Sequence, residues 1–157
     1  MKEHLVILDM QENFLKNKPS ELVKKATSSI CKLVDESRRV LRPVTFTLYL
    51  GGMFGGGRII PELWHQARQE EIITKTRNSA FRSPQFVQRV SGSDLLYIVG
   101  CNLEFCIIET IKDGLESGME IVAYKNAILS RDTESEFKTA TELYLATAAR
   151  CLYKDFN

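Results

Sequence analysis

Short apolar runs typical of buried strands alternate with helix-period segments along the whole chain. The first run, residues 5–8, is continuously apolar, as expected of a strand that is covered on both faces. Residues 20–41 then place apolar side chains three, four and seven positions apart, which predicts a long amphipathic helix. Strand–helix alternation requires crossover connections, and these favour a parallel sheet. The sequence therefore predicts a doubly wound α/β fold, a three-layer α/β/α sandwich whose central parallel sheet has five or six strands.

The remaining elements follow the same alternation. Pro43 prevents the long helix from continuing, and a β-branched and aromatic run follows it. No linker or internal repeat interrupts the pattern, so we expect one domain over residues 1–157. The other predicted strands are 44–50, 71–75, 95–99 and 120–124, with a weaker sixth pattern in 151–156, and the other predicted helices are 61–68, 83–90, 105–117 and 133–150.

Charge and hydropathy exclude several classes of protein. Lys and Arg number 21 and Asp and Glu number 20, so the net charge is +1. This balance gives no electrostatic reason to expect a nucleic acid or an anionic membrane as partner. No apolar run approaches the roughly 18 residues of a membrane helix, and the start of the chain does not resemble a signal peptide. We therefore expect a soluble, cytoplasmic protein that has neither a nucleic acid nor a membrane as its main partner.

Four cysteines form no Cys-x-x-Cys pair and have no histidine cluster beside them, so the sequence does not predict a zinc site. In a reducing compartment they are expected to be free thiols. The open question is whether one of them is a nucleophile. They are Cys31, Cys101, Cys106 and Cys151.

Three chemically useful side chains follow predicted strands. Asp9 follows the first strand, Lys75 ends the third, and Cys106 lies in the first helical turn after the fourth. In an open parallel sheet, ligands bind beyond the carboxyl ends of the strands, so these side chains share one rim. A helix N-terminus and Lys75 would lower the pKa of the Cys106 thiol, and Asp9 could move its proton. Taken singly, each residue also fits an ordinary structural role.

Three segments carry a family resemblance. Residues 5–14 read Leu-Val-Ile-Leu-Asp-Met-Gln-Glu-Asn-Phe, residues 75–81 end in Ser-Ala-Phe, and residues 100–106 end at the cysteine. Together and in this order they resemble the opening, lysine and nucleophile motifs of the isochorismatase-like cysteine hydrolases. The resemblance extends over residues 4–130 and implies the same α/β fold.

The resemblance also implies a role for each motif residue. Cys106 would be the nucleophile, Asp9 the base and Lys75 the third catalytic residue. A cis peptide bond is expected between Cys101 and Asn102. The backbone N–H groups of Asn102 and Cys106 would then form the oxyanion hole, and the reaction would pass through a covalent thioester.

Departures from the family pattern reduce the number of cofactors and reactions that we expect. Nicotinamidases of the family bind a metal through Asp and His after the second strand, whereas this chain has only His4 and His65. We therefore expect neither a metal nor another cofactor. Because isochorismatases proper lack the cysteine, retaining it favours hydrolysis of an amide or a related C–N bond. The family's usual Thr and Asp are replaced by Leu103 and Asn126. The resemblance further suggests a homo-oligomer, at least a dimer.

Two other interpretations remain open. The departures also fit a catalytically inactive family member that serves as a binding or scaffold module. A nucleotide- or flavin-binding doubly wound domain is a third interpretation, although the glycine-rich loop 51–57 lacks a P-loop signature. For the hydrolase, Phe14, Trp64 and Phe81 are candidates for apolar pocket walls. Core packing fits Phe14 and Phe81 equally well, and packing in the core or at a subunit interface is favoured for Trp64.

Overall fold

The computed structural model of the chain describes residues 1–52, 55–131, 142 and 151–157. Within these residues, six strands form one sheet in the order β3-β2-β1-β4-β5-β6. Every neighbouring pair is parallel, which confirms the predicted parallel sheet and its sixth strand. The strands are β1 Glu3–Leu8, β2 Val44–Tyr49, β3 Ile72–Lys75, β4 Leu95–Cys101, β5 Glu120–Leu129 and β6 Cys151–Lys154.

The helices lie between the strands, as the alternation predicts. In the described part of the chain, no helix is both long enough and apolar enough to cross a membrane. Of the helix predicted over 133–150, only residue 142 is among the described residues, and it is helical. The helices are α1 Glu12–Leu15, α2 Ser20–Arg39, α3 Pro61–Trp64, α4 Pro84–Val90 and α5 Ile108–Glu116, and a π-turn, Leu103–Ile107, precedes α5.

The core has two parts, one on each face of the sheet. Leu5 and Ile7 of β1 pack on the face that carries Ile30 of α2. Val6 and Leu8 belong to the other cluster, which contains buried residues of α4 and α5. Because successive side chains of a strand point to opposite faces, β1 contributes to both clusters. This arrangement confirms the predicted three layers.

β5 is longer than its pattern predicts. The sequence predicts an end at Tyr124, but the strand continues to Leu129. Ile98 of β4 pairs with Ala123, whereas Gly100 pairs with Ile128, so β5 bulges between the two pairs. The polar residues of the bulge resemble a turn in sequence, but they are held by contacts with a distant part of the chain.

β1 and β4 lie side by side at the centre of the sheet, and their carboxyl ends open at the same rim. Leu8 pairs with Gly100, the residue before the last of β4. Gly100 has a φ of 117°, a conformation that glycine tolerates and that L side chains avoid. A methyl group on Gly100 would lie only 2.1 Å from the Leu8 carbonyl oxygen. The glycine thus permits the close approach of the two strands beneath the site.

Candidate active site

Asp9, Lys75 and Cys106 meet at the rim of the sheet. Lys75 Nζ lies 2.9 Å from Asp9 Oδ2 and 3.4 Å from Cys106 Sγ. Asp9 is 0% exposed, Lys75 4% and Cys106 6%. The fold therefore brings together a carboxylate, an ammonium and a thiol from three separate strand ends, in a place that largely excludes water.

The three N–H donors of Lys75 have three acceptors. Nζ donates to the carbonyl oxygens of Arg77 and Asn78, each at 2.9 Å, and to Cys106 Sγ. An ammonium has three protons, so these partners account for all of them. The contact with Asp9 Oδ2 at 2.9 Å is an ion pair.

The environment of Asp9 leaves one carboxylate oxygen available. The Thr47 hydroxyl donates to Oδ1 at 2.5 Å, and the backbone N–H of Asp9 donates to Thr47 Oγ1 at 3.2 Å. Oδ2 accepts no well-directed hydrogen bond from the described residues. Asp9 has a φ of 54°, which Asp tolerates better than most residues, and the buried Cys101 thiol donates to its carbonyl at 3.1 Å. Oδ2 therefore keeps a lone pair for a proton.

The prediction that Cys106 has a lowered pKa is wrong. Burial, together with the adjacent charge of Asp9, raises the pKa of the Cys106 thiol to about 12, and the ammonium of Lys75 only partly opposes this. Burial also raises the pKa of Asp9, against the opposing effect of Lys75. A thiolate beside the existing ion pair would put a net negative charge in a buried site. Cys106 is therefore a neutral thiol with a carboxylate acceptor beside it.

The loop that carries Cys106 has the expected backbone geometry. The Cys101–Asn102 peptide bond is cis. The Asn102 carbonyl oxygen accepts hydrogen bonds from the N–H groups of Phe105 at 3.1 Å and Ile107 at 3.2 Å. Neither bond uses the N–H of Cys106, which lies between these two residues in the π-turn. This turn thus differs from an α-helical turn, in which the Cys106 N–H would bond to Asn102.

A cleft of about 600 Å³ opens above Cys106. Its walls combine aromatic rings, side-chain amides and cations, and Phe14 is among them as predicted from the sequence. A cleft of this size and mixed lining suits a small molecule. The lining residues are Asn13, Phe14, Asn17, Lys18, Tyr49, Asn78, Asn102, Phe105, Cys106 and Arg131.

Two predicted pocket walls are misplaced. Phe81 does not line the cleft, because its ring packs edge-on against Phe86 at 5.1 Å in the core under α4 and α5. Trp64 does not line it either, since it lies at the end of α3 and is half exposed. Aromatic character does not distinguish a ring that packs in the core or on the surface from a ring that lines a pocket.

Lys18, Tyr49 and Arg131 line the cleft but were not predicted as site residues. Lys18 and Arg131 lie in loops, where no periodic pattern indicates which way a side chain points. Tyr49 ends β2, and its ring lies 4.8 Å from Lys75 Nζ. The rule that ligands bind beyond strand ends could have identified Tyr49, because β2 ends between the strands that carry Asp9 and Lys75.

Neither histidine of the chain belongs to the cleft. His4 is buried, and its Nε2 lies 2.8 Å from Thr45 Oγ1 at the other end of the sheet. His65 is exposed beside α3. The described residues contain no group of three His, Cys, Asp or Glu side chains that could hold a metal ion.

Comparison with known proteins identifies the family. The family model "Isochorismatase domain" matches residues 3–152. The chain therefore belongs to the isochorismatase family of hydrolases. A search of curated proteins found no match.

Solved structures share the fold at low sequence identity. An isochorismatase family protein from Desulfovibrio vulgaris aligns with a TM-score of 0.81 at 21% identity, over 98% of this chain and 94% of that one. N-carbamoylsarcosine amidase from Thermoplasma acidophilum aligns at 0.78 and 18%, over 99% and 96%. MAR1 ribonuclease from Caenorhabditis elegans aligns at 0.81 and 22%, over 98% and 77%. Because these proteins are named for different activities, similarity of fold alone does not identify the reaction of this chain.

Proposed function

We propose that this protein is a cysteine amidohydrolase that cleaves a C–N bond of a small amide through a thioester on Cys106. The observation that carries the proposal is the contact of one buried ammonium, Lys75, with both the Asp9 carboxylate and the Cys106 sulfur. These three groups supply an acid–base, a nucleophile and a fixed counter-charge. The cleft gives a small molecule access to the sulfur.

In the first step, Cys106 Sγ attacks the carbonyl carbon of the amide while its proton passes to Asp9 Oδ2. The C–S bond forms as the C=O π bond becomes an oxyanion, which accepts hydrogen bonds from the N–H groups of Asn102 and Cys106. Moving the proton together with the attack avoids a free thiolate, which the pKa of about 12 makes unfavourable. Lys75 keeps Asp9 and the sulfur in place throughout.

In the second step, the C–N bond breaks and Asp9 returns the proton to the departing nitrogen, which leaves as ammonia or an amine. The acyl group remains on sulfur as a thioester. Water then attacks the thioester, Asp9 takes a proton from that water, and the proton returns to sulfur when the C–S bond breaks. The products are a carboxylic or carbamic acid and the free enzyme.

The charge of the cleft favours an anionic substrate. The Arg131 guanidinium lies over the ring of Phe105, 5.6 Å from its centroid, and has no carboxylate partner among the described residues. None of the described residues that line the cleft is Asp or Glu. We therefore expect an amide that also carries a carboxylate, such as an N-carbamoyl amino acid. The substrate in the name of N-carbamoylsarcosine amidase, one of the similar structures, is a compound of this kind.

The guanidinium of Arg131 is the charge that we expect to bind the carboxylate of the substrate. Arg131→Gln is expected to raise KM for a carboxylate-bearing amide about tenfold or more, since a charge-assisted contact is lost. KM for an uncharged amide of similar size should stay within about twofold. Steady-state ammonia release with the two substrates measures both values, and an equal change for both would argue against carboxylate recognition.

The decisive experiment compares Cys106→Ala with the wild type on a panel of small amides that includes N-carbamoylsarcosine. The wild type should release ammonia from at least one compound, and the variant should lose this activity while keeping its circular dichroism and unfolding midpoint. Intact-mass spectrometry of the wild type mixed rapidly with a good substrate should show one acyl group on Cys106.

Two results would refute the proposal. Turnover retained by Cys106→Ala would exclude the thioester mechanism. If the wild type instead leaves the whole panel intact and acquires no acyl group, the catalytically inactive binding module becomes the better interpretation.

A further inference from the structure

The ammonium of Lys18 connects three segments that are distant in sequence. Lys18 follows α1, where its backbone N–H donates to the Leu15 carbonyl at 3.0 Å. Its Nζ donates to Asn102 Oδ1 at 2.8 Å and to the Ser130 carbonyl at 2.6 Å. These partners are 84 and 112 residues away along the chain. Hydrogen bonds from a charged donor are about twice as strong as neutral ones, so Lys18 holds both acceptors firmly.

Asn102 is held from two directions. Its carbonyl oxygen accepts the N–H groups of Phe105 and Ile107 and thereby fixes it to the π-turn. Its side chain makes no capping bond to that turn, although it stands at the N-terminal position, and is bound by Lys18 instead. Asn102 is therefore fixed to the turn through its carbonyl oxygen and to the loop after α1 through its side chain.

The end of β5 is attached to the same turn by a second contact. The Glu104 carboxylate accepts a hydrogen bond from the Ser130 hydroxyl and another from the Arg131 N–H at 2.8 Å. Lys18 binds the carbonyl of the same Ser130. The segment that follows β5 is thus fastened to the nucleophile turn through Glu104 and to the loop after α1 through Lys18.

We propose that Lys18 is a positioning residue that holds Asn102 in place through its side chain, so that the backbone N–H of Asn102 can stabilise the oxyanion of the reaction. The inference rests on the proposed function and extends it to a residue outside the Asp9–Lys75–Cys106 group. Lys18 acts through Asn102 and does not itself need to touch the reacting atoms. Its effect should therefore appear in the rate of the chemical step and not in substrate affinity.

Lys18→Met tests this role, with the nearby exposed Lys16→Met as the matched control. We expect Lys18→Met to lower kcat for an uncharged amide by about 10- to 100-fold, somewhat less than the loss of an oxyanion donor. KM should stay within about twofold. Lys18→Arg, which keeps the charge and donors, should recover most of the rate. Alkylation of Cys106 by iodoacetamide should be unchanged, because it does not involve the oxyanion.

Asn102→Ala gives a second, independent variant, because it removes the acceptor of Lys18 but keeps the backbone N–H. It should reproduce the loss of kcat, and the double variant with Lys18→Met should lose little more, as expected of residues that act as one unit. Fully additive losses would overturn the proposal. A kcat of Asn102→Ala equal to that of the wild type would also overturn the proposal. This result can be obtained even if Lys18→Met fails to fold.

Other outcomes separate this proposal from the proposed function. A Lys18→Met variant that changes only KM would show that Lys18 binds substrate, and equal losses in Lys18→Met and Lys18→Arg with a lowered unfolding midpoint would show a merely structural role. Either result overturns the positioning role while Cys106→Ala still abolishes activity. Activity that survives in Cys106→Ala would instead refute the proposed function itself.

Discussion

At the scale of single residues, the carboxylate of Asp9 affects Cys106 in two opposite ways. Its negative charge, after burial, is the main reason that the thiol pKa is raised to about 12. In the proposed mechanism, the same carboxylate supplies the oxygen that accepts the thiol proton during attack. The change that makes the Cys106 thiol more reactive towards alkylation, loss of the Asp9 charge, is therefore expected to make the site a poorer catalyst.

The substitution Asp9→Asn separates these effects. Removing the charge lowers the pKa of Cys106, and each pKa unit gives about tenfold more thiolate, so alkylation at pH 8 should become at least about tenfold faster. Amide turnover should fall by about 10²- to 10⁴-fold, since the proton acceptor is lost. Mass spectrometry of each cysteine during iodoacetamide treatment, with Cys31 as the internal control, measures the first effect. An alkylation rate that stays constant or falls would contradict the electrostatic explanation.

His4 makes the stability of the fold depend on pH. Burial, assisted by the charge of Arg89, lowers the pKa of His4 from 6.5 to about 4. The unfolded chain therefore binds a proton more tightly than the folded one, and stability should fall as the pH falls from about 6.5 to about 4. The shift corresponds to about 3 kcal/mol over this window.

The contribution of His4 is measured by urea unfolding at several pH values between 4 and 7. His4→Gln should flatten the dependence of the unfolding free energy on pH, whatever its effect on stability at pH 7. His65→Gln, a change of the exposed histidine, should leave the slope as it is. If the two variants have the same slope, titration of His4 does not control acid stability.

At the scale of elements, the closest approach in the sheet is the one between β1 and β4. Gly100→Ala would need a methyl group 2.1 Å from the Leu8 carbonyl oxygen as well as an unfavourable φ of 117°. We expect the free energy of unfolding to fall by about 4 kcal/mol or more, a decrease that is typical only of severe packing conflicts. Gly92→Ala is the matched control, because Gly92 also has a positive φ but open space around it. It should lose about 1–2 kcal/mol.

Urea unfolding of both variants checks this prediction. Equal losses would mean that φ alone decides the cost and that β1 and β4 can move apart. A much larger loss in Gly100→Ala would show that the rim above these strands depends on their close contact.

Elements that carry a local pattern could be predicted from the sequence, whereas those that depend on distant contacts could not. The long apolar face of α2 and the β-branched run of β2 were predicted almost to their ends. The extension of β5 was missed because Asn126, which looks like a turn residue, exchanges two hydrogen bonds with the backbone of Phe156, at 2.6 and 2.9 Å. Nothing near Asn126 in sequence indicates that partner.

The same distinction applies to the site. Asp9, Lys75 and Cys106 could be located because each ends or follows a strand and because their motifs occur in order. The lining of the cleft and the Lys18 contact could not, since they come from loops whose side-chain directions are set by the folded structure. The thiol pKa was mispredicted for a related reason. A helix terminus and a lysine are visible in sequence, but the depth of burial is not.

At the scale of the whole molecule, the strand order explains why the third residue of the site is a lysine. Asp9 follows β1 and Cys106 follows its neighbour β4, but Lys75 lies at the end of β3, with β2 in between. Only a long side chain can extend from there towards β1. The result is an ion pair, Asp9–Lys75, that is almost entirely buried.

The stability of the whole fold is expected to depend on the charge balance within this ion pair. Lys75→Met should destabilise the protein by about 3–5 kcal/mol, because a buried carboxylate loses its counter-charge. The pKa of Asp9, already raised by burial, would rise further without Lys75. A raised pKa favours the protonated, folded state at low pH, so the deficit of Lys75→Met should grow as the pH rises from about 4 to 8. Urea unfolding over that range measures it.

The double variant Asp9→Asn/Lys75→Met tests whether the unpaired charge of Asp9 causes the destabilisation, since it removes both charges. It should be more stable than Lys75→Met alone at pH 8 and should lose most of the added pH dependence. Lys24→Met is the matched control, because Lys24 makes an exposed ion pair with Glu21 at 3.6 Å, and such pairs contribute at most about 1 kcal/mol. A double variant no more stable than Lys75→Met would mean that the lost hydrogen bonds of Lys75, and not the unpaired charge of Asp9, cause the destabilisation.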